Sequence, residues 1–366
     1  MPRTALTVLL LIIASACAQI APHDAATADN QFVLNEMASR KIPGLAFAVV
    51  KDGAIVESGA YGLANVELNA PVTSKTVFAI GSITKSMTAI VVMKLVEDGR
   101  VSLDDQISDH VPGLPQAWAG VTVEQALSHT SGIPEFIDNP CAAPTLASHD
   151  TRDALVEVAC LPLDFAPGER FAYSNTNYIV FSLLIEQVTG FWIEGAFRET
   201  IFEPLGMHDT LMADYDGIVP NRADGYLATS SCPRRPNFRN VPEMEPAIES
   251  GAGGVISTLD DMTLFVGALG DPRILKPESW QRLLTPPPVR SGETPYALGF
   301  GVTPFEGEKR IGHNGAAPGF ASSFAWFPEK NVAVIVLANS YEVRHGRSLM
   351  GLTNTIAARH FGFSLD

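Results

Sequence analysis

Apolar residues along this 366-residue chain change their period several times, and each change marks an element. Gln31 to Arg40 mixes apolar and polar residues at helical spacing, and Ile42-Pro43-Gly44 ends the predicted helix. Two apolar runs follow, Leu45 to Val50 and Ala54 to Gly59. They flank Asp52-Gly53, a dipeptide that tolerates positive φ at both positions and so favours a two-residue hairpin. From Ser82 to Glu97 (SITKSMTAIVVMKLVE) the apolar residues run almost all the way round from Ala89 onward, with Gly99 placed to stop them. A helix that is apolar on every side is a buried central one. Between about residues 101 and 250, short helical stretches alternate with Pro- and Gly-bearing loops, including the Pro-rich segment from Cys232 to Pro246. Thr258 and Asp261 are spaced as a capping box and predict another helix start. Strand signals return at Leu298 to Val302, Phe320 to Phe327 and Val332 to Ala338, before a last helix over about Leu349 to Phe361.

Strands at both ends with helices between them predict an α+β fold, an antiparallel sheet flanked by helices. Residues 25–100 and 251–366 would form one unit, interrupted by a mostly helical insertion at 101–250. The length agrees, since at roughly 150 residues per domain it corresponds to about 2.4 domains. Composition adds that 46% hydrophobic and 18% charged residues suit a packed core. With 25 Lys and Arg against 40 Asp and Glu, the net charge is −15, and no Lys/Arg run offers a local patch for a phosphate backbone. Nucleic acid is therefore not an expected partner.

Residues 1–18 have the order of a secretory signal peptide: Arg3, then the apolar stretch Ala5 to Ala14, then small residues. Two processing outcomes fit. Ala16-Cys17-Ala18 suits cleavage before Gln19, while Ala14-Ser15-Ala16-Cys17 is similar to a lipoprotein box that would put lipid on Cys17 and tether the protein to a membrane. Both predict a secreted or periplasmic protein, where thiols oxidise. Cys141 and Cys160 are then the expected disulfide, closing a loop of about 20 residues worth roughly 3 kcal/mol; buried free thiols are the alternative reading of these and Cys232. The eight His are too scattered for a zinc site, and neither metal nor cofactor is expected.

Three short patterns carry candidate chemistry. Ser82-Ile-Thr-Lys85 places a hydroxyl and an amine one helical turn apart, as a Ser nucleophile needs a nearby base. Tyr173-Ser174-Asn175 presents a phenol and a carboxamide together, a proton relay beside an amide-orienting group. His313-Asn314-Gly315 offers a cationic or hydrogen-bonding residue beside a Gly that lets an extended substrate approach the backbone. Taken singly, each is also read as a surface Ser with a snorkelling Lys, a half-buried Tyr with a capping Ser or Asn, and a His in a turn.

Together, in this order, they resemble the penicillin-binding and serine β-lactamase superfamily. The resemblance is to the class C-like branch that holds D-Ala-D-Ala carboxypeptidases, D-aminopeptidases and family VIII-type esterases. Leu127-Ser-His-Thr-Ser-Gly-Ile-Pro134, Pro204-Leu-Gly-Met207 and Gly251-Ala-Gly-Gly-Val-Ile-Ser-Thr258 extend the likeness over nearly the whole chain. The resemblance implies that Ser82 is acylated, Lys85 accepts its proton, and Tyr173 shares that proton and passes it to the leaving group. It further implies that Asn175 bonds Lys85 and the substrate amide, with the backbone N–H groups of Ser82 and Ala316 as oxyanion hole. His129 receives no catalytic role. The expected substrate is a small peptide or ester, of the cell-wall D-peptide kind.

The third motif departs from the lactamase pattern, Lys-Thr-Gly, whose first two residues read the substrate carboxylate. His313 leans toward the carboxypeptidases, whereas Asn314 lacks the hydroxyl but still donates from its amide. Slow acylation by β-lactams is thus expected rather than efficient hydrolysis; an esterase on the same machinery and an acylated sensor with little turnover remain alternatives. His313 and Lys85 are the expected cations for a substrate carboxylate in so acidic a protein. No G-x-S-x-G elbow occurs, and the Gly251-Ala-Gly-Gly254 run lacks the third Gly of a nucleotide loop.

Overall fold

The computed structural model describes residues 28–136, 155, 161–213, 217–228, 238–241, 250–340 and 349–361. The leader, Cys17, and the expected Cys141–Cys160 pair lie outside the described residues.

Twelve strands are described. In chain order they are β1 (Gly44–Lys51), β2 (Ala54–Asn65), β3 (Ala70–Pro71), β4 (Phe78–Ala79), β5 (Leu211–Met212) and β6 (Tyr226–Ala228). Then come β7 (Phe238–Asn240), β8 (Val255–Ser257), β9 (Gly301–Phe305), β10 (Glu308–Ala317), β11 (Phe320–Phe327) and β12 (Val332–Ala338). Seven form one sheet in the order β3-β2-β1-β12-β11-β10-β9, so both ends of the chain meet where β1 pairs antiparallel with β12, from Leu45↔Ala338 to Lys51↔Val332.

The hairpin forms where the turn chemistry placed it: Asp52 and Gly53 have φ of 51° and 75°, both positive as such a turn demands. Strand alternation then sorts β1 onto two cores. Leu45, Phe47 and Val49 join Val334, Val336, Leu352 and Ile356 beneath the helices Ala28–Arg40 and Leu349–Phe361. Ala46, Ala48 and Val50 face the larger core, which includes Met262, Phe265 and the helix Thr84–Glu97. The molecule is therefore helix, sheet, helix in layers.

Of the helix Thr84–Glu97, residues 84 to 93 are all buried. It ends in a Schellman arrangement, with Gly99 N–H bonded to Val96 O, Arg100 N–H to Leu95 O, and Gly99 at φ 68°. Two expectations shift. The apolar run at Leu298 is a turn, and the strand begins only at Gly301. Gly299 has φ 81°, and a Cβ there would sit 2.4 Å from that of Ala89, so this run is core packed against the central helix. The second concerns the capping box, of which only half forms. Thr258 Oγ1 accepts the Asp261 N–H at 3.1 Å, but the Asp261 carboxylate accepts from Asp209 N–H and the Thr210 hydroxyl instead, binding the middle of the chain to this helix. The middle also supplies β5, which pairs with β8 beside β4, a strand too short to show in the pattern.

Candidate active site

Ser82 sits in a 3₁₀ turn, Gly81–Ile83, that leads into the central helix. The turn presses on β10 through two glycines. At Gly81 (φ 49°) a Cβ would lie 2.5 to 2.7 Å from the Ala316 backbone, and at Gly315 it would lie 1.9 Å from Ile80 O. No larger residue allows that approach, which is the physical content of the Gly in the third motif. One helical turn on, Lys85 is fully buried, and its Nζ donates to Ser82 Oγ at 3.0 Å, Asn175 Oδ1 at 2.7 Å and Ala252 O at 2.6 Å. The first and second motifs thus meet on one amine. The third acceptor comes from the Gly-rich run at 251–254, whose carbonyl no side-chain pattern could have revealed.

Asn175 opens the helix Asn175–Thr189, with Ser174 at its N-cap. The Ser174 hydroxyl does not cap: it donates to Pro134 O. Instead, Glu135 Oε2 accepts both the Asn175 N–H at 2.7 Å and its Nδ2 at 3.0 Å. Because the amide NH₂ is bound there, the amide oxygen faces Lys85. Glu135 directly follows the Leu127–Pro134 stretch, yet as a lone carboxylate it carries no signal by itself.

His129, given no role from sequence, underlies the same tripeptide. Its Nδ1 accepts the Ser174 N–H at 3.2 Å, and its ring lies 4.3 Å from that of Tyr173. Burial first, then the Lys85 charge, holds it well below the ordinary His range, so it is a neutral acceptor. Tyr173 is 38% exposed, and its ring centroid is 5.0 Å from Lys85 Nζ.

His313 lies within β10, with both ring nitrogens occupied: Nδ1 donates to Asn314 O at 2.6 Å, and the Tyr296 hydroxyl donates to Nε2 at 2.8 Å. Burial, then the Lys85 charge, lowers its pKa to about 3. This corrects the expectation of a cationic His313; the residue is a neutral strut between strand and Tyr296. Asn314 is exposed beside it. β10 and β11 are joined by the two residues Pro318 and Gly319, and Ala317↔Phe320 is the closing pair. Hydrogen-bonded pairs alternate from there, so the Ala316 N–H points away from β11, to the open edge. Ser82, Tyr173, Tyr296, His313, Asn314 and Ala316 all line a cavity of about 580 Å³.

Comparison with known proteins agrees with this architecture. Residues 30–350 match the family model described as Beta-lactamase. A curated relative, an unguisins hydrolase of Aspergillus violaceofuscus, is 30% identical over 333 residues, 82% of this chain and 59% of its own length. The chain therefore spans somewhat under two thirds of that relative. Among solved structures, the octameric penicillin-binding protein homologue from Pyrococcus abyssi is 29% identical with a TM-score of 0.78, covering 91% of this chain and 77% of its own. A D-amino acid amidase from Ochrobactrum anthropi, complexed with D-phenylalanine, is 25% identical at a TM-score of 0.77, covering 91% and 98%. With a family model matched across most of its length and a sheet, central helix and motif order to go with it, the chain belongs to the β-lactamase family.

Proposed function

We propose that the protein is a serine hydrolase that forms an acyl-enzyme on Ser82 and cleaves amide bonds of D-amino-acid peptides. The observation that carries this reading is the convergence of Ser82, Asn175 and Ala252 on the buried Lys85 Nζ, with Ser82 itself lining the cavity.

In acylation, Ser82 Oγ attacks the scissile carbonyl as its proton passes to the Lys85–Tyr173 pair. The carbonyl oxygen becomes an oxyanion held by the N–H groups of Ser82 and Ala316, which the two glycines bring together. The C–N bond breaks as Tyr173 returns the proton to the leaving amine. Water then attacks the ester, gives its proton to the same pair, and releases the acid and Ser82. Asn175, oriented by Glu135, offers its carboxamide between Lys85 and the substrate amide.

Amide substrates are favoured over esters by the amidase and penicillin-binding names of the structural relatives. Carboxypeptidase specificity is supported by His313 in the third motif, and an extracytoplasmic location by the leader-like residues 1–18. The test is intact-mass analysis after mixing with a fluorescent penicillin, a p-nitrophenyl ester and a D-Ala-D-Ala peptide in turn. A mass increment or turnover that Ser82→Ala abolishes is expected. No increment and no turnover with any probe refutes the reading.

A further inference from the structure

With His313 neutral, the cation that a carboxylate-bearing substrate requires must be sought elsewhere in the cavity. Among its described lining residues there is no Asp or Glu, in a protein of net charge −15, and two guanidinium groups are present, Arg40 and Arg310. Arg40 is compensated, its Nε donating to Glu36 Oε2 at 2.8 Å. Arg310 is half-buried on β10, and among the described residues no carboxylate pairs with it. Its guanidinium donates to the hydroxyl of Thr303, its cross-strand neighbour on β9. A partly desolvated charge whose anchor, among the described residues, is a neutral hydroxyl is costly to keep unless something anionic meets it.

Its placement says how far from the reacting atoms that anion would lie. Strand alternation puts His313 and Gly315 toward Ile80 and Ser82. Arg310, Gly312 and Asn314 share the opposite face, where Ser323, paired with Asn314, donates to Met350 Sδ on the helix Leu349–Phe361. β9 pairs with β10 only as far as Gly312↔Gly301, so the edge from His313 to Ala317 is open. The cavity passes round that edge, from Ser82 and Tyr173 on one side to Thr303, Arg310 and Met350 on the other. From Gly315 to Arg310 the strand runs five residues, about 17 Å at roughly 3.3 Å per residue. Allowing about 7 Å for the Arg side chain, a peptide must extend at least three residues from the scissile bond to reach it, and about five if it follows the strand fully.

We propose that Arg310 forms a remote anion subsite, holding a carboxylate carried by an extended peptide three to five residues from the bond cleaved at Ser82. The proposal rests on the acyl-enzyme reading for its reference point, but binding alone tests it. Dansyl-labelled peptides containing one D-Ala-D-Ala bond would carry a single Glu, moved stepwise from one to six residues from that bond on either side. Each has a Gln counterpart, and free-carboxylate and amide C-termini are compared to separate side-chain from terminal carboxylates. Fluorescence anisotropy with the Ser82→Ala protein removes turnover. Glu at three to five residues, or a terminus at that distance, is expected to bind about tenfold tighter than its neutral counterpart, a scale set by one partly desolvated charge pair. Arg310→Gln abolishes the difference and Arg310→Lys retains part of it. Equal binding of Glu and Gln peptides at every position, no detectable binding of any anionic peptide, or discrimination that survives Arg310→Gln overturns the proposal. Failure of the acyl-enzyme reading shows separately, as a wild type that no acylating probe labels.

Discussion

Glu135→Ala is an informative single change, because Glu135 holds the Asn175 carboxamide whose oxygen faces Lys85. Glu135 Oε2 accepts two bonds from Asn175, 2.7 Å from the backbone N–H and 3.0 Å from Nδ2. Hydrogen bonds to a carboxylate are worth about 1.5–3 kcal/mol each. Glu135 is only half-buried, so water replaces part of both, and about 1.5–3 kcal/mol in total is the expected net loss. Part appears as stability, since an N–H in the first turn of the helix Asn175–Thr189 loses its acceptor. The rest appears as freedom of the amide to turn its NH₂ toward Lys85, where two donors would oppose each other. If most of the loss falls on the barrier, acylation slows about ten- to hundredfold. The assay is the rate of labelling by a fluorescent penicillin, measured well below the thermal midpoint so that unfolding does not contribute. Glu135→Gln keeps an oxygen acceptor and is expected to retain most of the rate. Wild-type labelling by Glu135→Ala, or equal damage from both variants, would refute the orienting role.

Lys85→Ala and Tyr173→Phe should each lower acylation by orders of magnitude, and unchanged rates in either would remove it from the proton path. Gly315→Ala would thrust a Cβ to 1.9 Å from Ile80 O and 2.2 Å from Ser322 Oγ. Such overpacking should cost at least about 1–3 kcal/mol in denaturant unfolding and displace Ser82, with labelling reduced in parallel. His313 predicts a pH dependence: its folded pKa of about 3 lies below the unfolded value of about 6.5, so the unfolded chain binds the proton more readily between these values. The stability this His contributes is present above about pH 6.5 and is lost as pH falls toward 3. The thermal midpoint should therefore drop across that window, less steeply in His313→Gln, and an identical slope in that variant would contradict a neutral buried His.

Much of the fold was legible because it rests on local rules. β11, β12 and the final helix occupy the residues their periodicity marked, and Asp52-Gly53 makes its hairpin. Where reading failed, as at Leu298 to Val302, a contact distant in sequence decided: Gly299 against Ala89 turned an apolar run into a packed loop. The site divides in the same way. Ser82 and Lys85 are one helical turn apart, so helix geometry alone brings them together.

Glu135 reaches Asn175 across 40 residues of chain, and Ala252 O reaches Lys85 across 167. Neither partnership has a period or spacing to betray it. His313 shows the same limit in its charge: its type suggests a cation at a substrate site, but burial against Tyr296 and the nearby Lys85 keep it neutral. Sequence by itself determined most of the elements and their order, which follow from backbone propensity and the turn-by-turn repeat, while its motifs marked the candidate residues for acyl transfer through a family resemblance. Only the tertiary structure decided which of those residues are charged, which carbonyls and carboxylates hold them in place, and that Arg310 meets no carboxylate among the described residues. Those properties depend on desolvation and on neighbours that only folding supplies.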